Sequence, residues 1–177
     1  GYVGVNENPV GNVANMDNKG MEIELGYKKK FGDLNVGINS SVSYLRNEVT
    51  LITTDSSATF IPGGASFQSM GEVTRSAVGE SFNSFYGFET DGIFQNLGEI
   101  EAYKNLDGGK IQPNALPGDF RWKDTNGDGK ITNDDKKFLG SILPKFVYGV
   151  TLNLDYKSFD MMIFAQGAAG NKIFQGL

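Results

Sequence analysis

The chain has 177 residues, 16 basic and 21 acidic, for a net charge of −5. No block of like charge occurs, so nucleic acid and anionic membrane surfaces are poor partners. It has no cysteine, which removes disulfides and thiolate metal sites, and no histidine, which removes the commonest general base and most triads.

Its 24 glycines and 12% aromatic content point to a β-rich chain. It carries neither a signal peptide nor an apolar run near the roughly eighteen residues of a spanning helix. That does not exclude a membrane, since spanning β-strands alternate and need only about ten residues each. The chain begins at Gly1 without an initiator Met and reads as a piece of something longer.

In chain order, the first periodic stretch is residues 21–31. Met21, Ile23, Leu25 and Tyr27 fall on one face, with Glu22, Glu24 and Lys28 on the other. Gly32-Asp33 predicts a tight turn. The return strand alternates Leu34, Val36, Ile38, Val42 and Tyr44 with Asn35, Gly37, Asn39, Ser41 and Ser43; Ser40 interrupts its apolar face.

Residues 47–144 are too long for a structureless loop in a compact domain. They open with a Ser/Thr/Gly-rich segment, Thr53 to Gly71. One or two short strands are predicted between Ser84 and Phe94, and one or two helical turns between Leu97 and Lys104.

The run Asp124-Thr125-Asn126-Gly127-Asp128-Gly129-Lys130-Ile131-Thr132-Asn133-Asp134-Asp135 has the spacing of a twelve-residue calcium loop. Asp124, Asn126 and Asp128 supply side-chain oxygens at positions one, three and five. Gly129 permits the turn, the Lys130 carbonyl and Thr132 add ligands, and Asp135 closes the loop where Glu is usual. The expected ion is a structural Ca²⁺, with Mg²⁺ as the alternative. No base or nucleophile accompanies it to suggest catalysis. An Asn/Gly/Asp-rich surface turn would use the same residues.

A second hairpin follows. Tyr148, Val150, Leu152, Leu154 and Tyr156 alternate with Gly149, Thr151, Asn153 and Asp155. Lys157-Ser158 turns the chain, and Phe159, Met161, Ile163 and Ala165 alternate with Asp160, Met162, Phe164 and Gln166. A soluble sandwich and a membrane barrel both produce such alternation. Two details favour the barrel: aromatics at the strand ends (Tyr27, Phe31, Tyr156, Phe159, Phe146, Tyr148), and very short turns set against long connections. With both turns on one side, the insert projects on the other, outside the cell.

Five phrases, in order, carry a resemblance to the SusC-like, TonB-linked outer-membrane transporters. Asn18-Lys19-Gly20-Met21-Glu22 is similar to an "N-K-G-x-E" strand opening, and Ser84-Phe85-Tyr86-Gly87 through Asp91-Gly92-Ile93-Phe94-Gln95 to "S-F-Y-G-x-x-x-D-G-I-F-Q". Pro117-Gly118-Asp119 through Asp124 resembles the lead into the "D-x-N-G-D-G-x-I" loop. Pro144-Lys145-Phe146-Val147-Tyr148-Gly149 and Phe164-Ala165-Gln166-Gly167 resemble the closing strand pair.

The resemblance implies an all-β fold: antiparallel strands from the later part of a large outer-membrane barrel. On this reading 1–46 are wall strands (hairpin about 20–46), 47–144 an extracellular insert with an EF-hand-like metal loop at 124–135, and 145–177 a wall hairpin and the start of the next loop. The family implies import of oligosaccharide or peptide cargo across a Bacteroidetes-type outer membrane. A SusD-like surface lipoprotein caps the barrel, and TonB acts through an N-terminal part not in this sequence. Phe82, Phe85, Tyr86, Phe88 and Trp122 are candidates for cargo or partner contact, or for the insert's own core. Two other classes make different demands on the sequence. A soluble calcium-binding adhesion or dockerin-like module would show a second loop copy and amphipathic helices. A glycan hydrolase would need a paired-carboxylate cleft, and no pair stands out.

Overall fold

The computed structural model describes residues 12–53, 59–68 and 71–175. Four long strands make one antiparallel sheet: β1 (Ala14–Phe31), β2 (Leu34–Ile52), β9 (Phe146–Tyr156) and β10 (Phe159–Ala169), in the order β1-β2-β9-β10. The two short turns fall where the sequence puts them, at Gly32-Asp33 and Lys157-Ser158, and both lie at the same end of the sheet. β2 pairs with β9 although the chain between them forms the whole insert, with Leu34 opposite Tyr156 and Tyr44 opposite Phe146.

The strand β2 continues to Ile52, past the expected boundary at residue 46. Its extension finds partners on both sides. Residues 14–18 of β1 pair with it on one edge, across a register shift at Asn15/Met16. On the other edge, where β9 has ended, the Val49 amide donates to the Glu80 carbonyl (2.8 Å) and the Gly79 amide to the Val49 carbonyl (2.9 Å).

Asn47 fixes this junction. Its Oδ1 accepts from the Phe82 amide (2.7 Å), its Nδ2 donates to Asn18 Oδ1 (2.7 Å), and its carbonyl accepts from Ser81 Oγ (2.8 Å). Val49 is buried beside it. The insert is therefore sewn to the wall as well as paired within itself.

The insert holds a second sheet, β3 (Phe60–Pro62), β4 (Thr74–Ala77), β5 (Ser84–Gly87) and β8 (Lys137–Gly140), in the order β3-β4-β5-β8. A separate pair, β6 (Thr90–Ile93) and β7 (Phe120–Trp122), lies beside the helix α1 (Leu97–Ala102). Asn96 caps α1, accepting from the Glu99 amide at 3.0 Å. The fully buried Phe94, with Ile100 and the Tyr103 ring 5.9 Å away, is the small core of this part. Burial raises the pKa of the Tyr103 phenol above its usual value; its hydroxyl donates to the Trp122 carbonyl at 2.7 Å. Of the Ser/Thr/Gly-rich segment, residues 54–58 and 69–70 lie outside the described residues, as do 1–11 and 176–177 of the terminal parts.

Candidate functional site

The long sheet sorts its side chains by parity. On one face the register stacks six cross-strand rows, from Met21/Tyr44/Phe146/Ala169 at the insert end to Phe31/Leu34/Tyr156/Phe159 at the turns. Between them come Ile23/Val42/Tyr148, Leu25/Ser40/Val150/Ala165, Tyr27/Ile38/Leu152/Ile163 and Lys29/Val36/Leu154/Met161. The face is nearly all apolar, and its large side chains stand exposed: Met21 is 61%, Leu25 67% and Phe159 80% accessible.

The opposite face carries Glu22, Ser43, Glu24, Ser41, Asn39, Lys28, Asn153 and Asp155, interrupted by Val147, Met162 and Phe164. Ten residues separate the outermost rows, so the apolar band runs about 34 Å along the strands. A tilt of about 40° makes that about 26 Å of height, close to the roughly 25 Å band of membrane barrels. Lys19 opposite Arg46 and Asp17 opposite Glu48 follow at once on the same face, ending the band in charge.

The loop 124–135 is held by its own backbone. Asp124 accepts from the Gly127 and Gly129 amides (both 2.7 Å), Asn126 Oδ1 from the Asp128 amide (2.9 Å), and Asp128 Oδ1 from the Lys130 amide (2.9 Å). Gly129 has φ 82°, and a Cβ there would lie 2.6 Å from the Asn105 Cβ, so glycine is required on both counts. A carboxylate has about four acceptor sites; Asp124 and Asp128 keep some free, which suits a hard cation.

Asp135 is different. Wholly buried, it accepts from the Thr132 amide (2.7 Å) and the Thr125 amide (2.8 Å), closing the loop's two ends on each other. The Thr132 amide, then those of Thr125 and Asn126, hold its pKa below the ordinary 3.8 against the opposing effect of burial. Its charge is thus satisfied by protein donors alone. Among the described residues no three Asp, Glu, His or Cys side chains gather to hold a metal ion. The head of the loop suits a cation; the closing carboxylate already has its partners.

Four of the five candidate aromatics come together and one does not. Phe85, Tyr86, Phe88 and Trp122 line a cavity of about 600 Å³ between the two parts of the insert, with Phe174 on a further wall. Phe88 and Trp122 lie 5.7 Å apart, and Phe85 lies 6.3 Å from Phe174. Phe82 stands apart and exposed, because its amide is tied to Asn47 at the wall. The sequence reading also missed Lys136, Lys172 and Phe174. Phe174 and Lys172 follow β10 and reach the cavity only through the tertiary fold, so no local pattern marks them.

No family model matches the chain. TonB-dependent receptor P3 of Formosa agariphila is 29% identical over 175 residues, covering 97% of this chain and 17% of that protein. TonB-dependent receptor P26 of the same organism is 37% identical over 101 residues, 57% of this chain and 10% of that protein. This chain is similar to the TonB-dependent receptors.

Two solved structures agree on the fold. The RagAB peptide transporter superposes with a TM-score of 0.62 at 20% identity, over 90% of this chain and 16% of that one. The RagAB peptide importer in its "closed-closed" state gives 0.59 at 19% identity over the same shares. The chain thus spans less than a fifth of the length of the relatives it matches. The resemblance to TonB-linked outer-membrane transporters agrees with these relatives, and the four long strands fit part of an outer-membrane barrel. TonB-dependent receptors are outer-membrane proteins, and they are not enzymes.

Proposed function

We propose that these residues form part of the wall and outer rim of a TonB-dependent importer of oligomeric nutrients, glycans or peptides. It works with a SusD-like surface lipoprotein, and with TonB through a part outside this sequence. The observation that carries this reading is the six-row apolar face, about 26 Å tall once tilted and bounded by charge. A contiguous exposed apolar face of that size needs a non-aqueous neighbour, and lipid matches its height. Glu22, Glu24 and Asn153 then line the lumen, and the insert stands on the extracellular side with its cavity and loop.

The test uses the full-length protein in the outer membrane. Protease added to intact cells should cut at the exposed turn 105–109, and fluorescent oligomer uptake should require TonB. Cleavage only after the outer membrane is opened would reverse the orientation. Uptake indifferent to TonB would remove the importer reading.

The loop 124–135 is proposed to take a structural Ca²⁺, or Mg²⁺, on Asp124, Asn126, Asp128, the Lys130 carbonyl and Thr132, with Asp135 closing it. Such an ion would offset the ordering entropy of a glycine-rich loop in an insert whose core is small.

A further inference from the structure

The cavity between β5, β7, β8 and the segment after β10 has an uneven charge balance. Its two acids are already paired: Glu72 with Arg75 at 3.4 Å, and Glu89 with Lys123 at 3.4 Å and with Lys137. Lys137 first, then Lys123, hold the Glu89 carboxyl below its usual range. Its two lysines, Lys136 and Lys172, have no carboxylate within ion-pair distance among the described residues.

Both lysines are seated. The Lys136 ammonium lies 5.1 Å from the centre of the Phe88 ring. Lys172 crosses β8 at Gly140, where φ is 133° and a Cβ would fall 2.8 Å from Lys172 Cγ; its backbone amide is tied to the Ser141 carbonyl at 2.7 Å. The remaining wall is mostly aliphatic and aromatic. A sugar ring would bring several hydroxyls per residue against a surface with few partners for them, and each unpaired buried hydroxyl costs binding. An apolar side chain next to one carboxylate meets no such mismatch.

We propose that this cavity captures the carboxylate end of a peptide: Lys136 and Lys172 take the carboxylate, and Phe88 and Trp122 take the adjoining apolar side chain. The proposal rests on the import reading and narrows it to a class of cargo. Charge-assisted contacts to two ammonium groups give the acid its advantage over a neutral terminus.

The test is calorimetry on the full-length transporter in detergent, with an N-acetylated pentapeptide ending in phenylalanine, as free acid and as C-terminal amide, and with an oligouronate. The free acid should bind about tenfold or more tightly than the amide. Lys136→Gln with Lys172→Gln should erase that preference, bringing the free acid down to the affinity the amide shows for the same variant. Trp122→Ala should weaken both peptides alike. Equal binding of acid and amide, or a preference that survives loss of both lysines, would overturn the proposal. So would lysine-dependent binding of the oligouronate without binding of the peptide. TonB-dependent uptake, followed separately in the same variants, distinguishes the two failures. Uptake that persists without acid discrimination removes the cavity's role and leaves the import reading standing.

Discussion

Leu152 and Asn153 are neighbours in sequence and opposites in setting, and replacing each by arginine separates a lipid-facing wall from any two-sided soluble sheet. Leu152 shares a row with Tyr27, Ile38 and Ile163, and Leu25 and Val150 lie in the next. The midpoint between the outermost rows falls between these two, so Leu152 is about one residue, roughly 3.4 Å along the strand, from mid-band. Arginine at the midplane of a barrel's lipid face costs about 2–4 kcal/mol, falling to about 0–1 kcal/mol near the interfaces. Leu152→Arg and Leu25→Arg should therefore each lose about 2–4 kcal/mol, and Phe146→Arg, in the outermost row, about 0–1 kcal/mol. Asn153 points the other way, opposite Gly37 and Met162; Asn153→Arg should change stability by less than about 1 kcal/mol, the range of an ordinary surface change. Urea titration of the full-length transporter refolded in lipid vesicles reads these differences, and outer-membrane abundance reads them in cells. Equal losses at residues 152 and 153, or no gradient from 152 to 146, would show that the apolar face is covered by protein rather than lipid.

The insert and its loop give three further expectations. Asn47→Ala leaves the Phe82 amide and Asn18 Oδ1 without their partner, a loss of about 1–3 kcal/mol at the junction. Amide exchange at residues 79–82 should quicken while β9 and β10 keep their protection. The Asp135 carboxyl is depressed in the folded loop, so its contribution is complete above the ordinary value of 3.8 and disappears as pH falls through the lower folded value. Exchange across 124–135 should rise on acidification below pH 3.8, and Asp135→Asn should abolish that pH dependence. Asp128→Ala should remove Ca²⁺ binding by calorimetry and lower cargo uptake at normal membrane abundance, with the barrel still inserted; an unchanged binding isotherm would end the metal proposal.

The wall was legible because its information is local. Period-two alternation and two turn dipeptides specify which residues share a face, and a slip of one residue would expose the wrong set. The alternation after Gly32-Asp33 marks a strand only to residue 46, because beyond it the pattern turns polar and pairing depends on residues 79–80, remote in sequence. In the loop, the spacing pointed to a tight turn, and the side chains of Asp124, Asn126 and Asp128 each accept backbone amides of that turn. What spacing could not give is the fate of Asp135, whose partners include Thr125 across the loop closure. The five aromatics are candidates for contact or for the insert's core, and four of them share a cavity. Phe82 was drawn away by a hydrogen bond to Asn47, and the lysines that give the cavity its charge come from β8's approach and from the chain after β10.

The pairing of β2 with β9 explains how a long insert is tolerated in the wall. Leaving at Ile52 and returning at Phe146, the chain re-enters beside the strand it left, so the sheet loses no hydrogen bonds across the interruption. Loop-closure entropy grows only slowly with length, so the larger cost is ordering the insert itself, whose core among the described residues is little more than Phe94 and Ile100. Two devices offset that cost. Asn47 and Val49 extend the wall's hydrogen-bond ladder into residues 79–82, so one margin of the insert is tied directly to the sheet. Asp135 ties the start of the loop 124–135 to its end just before β8 begins, so the segment from β7 returns to the insert's sheet along a fixed path. The cavity lies between these two anchors. Its aromatic wall is carried by β5 on the first and by β7 on the second, and a ligand there would bridge parts of the insert that are anchored at different points.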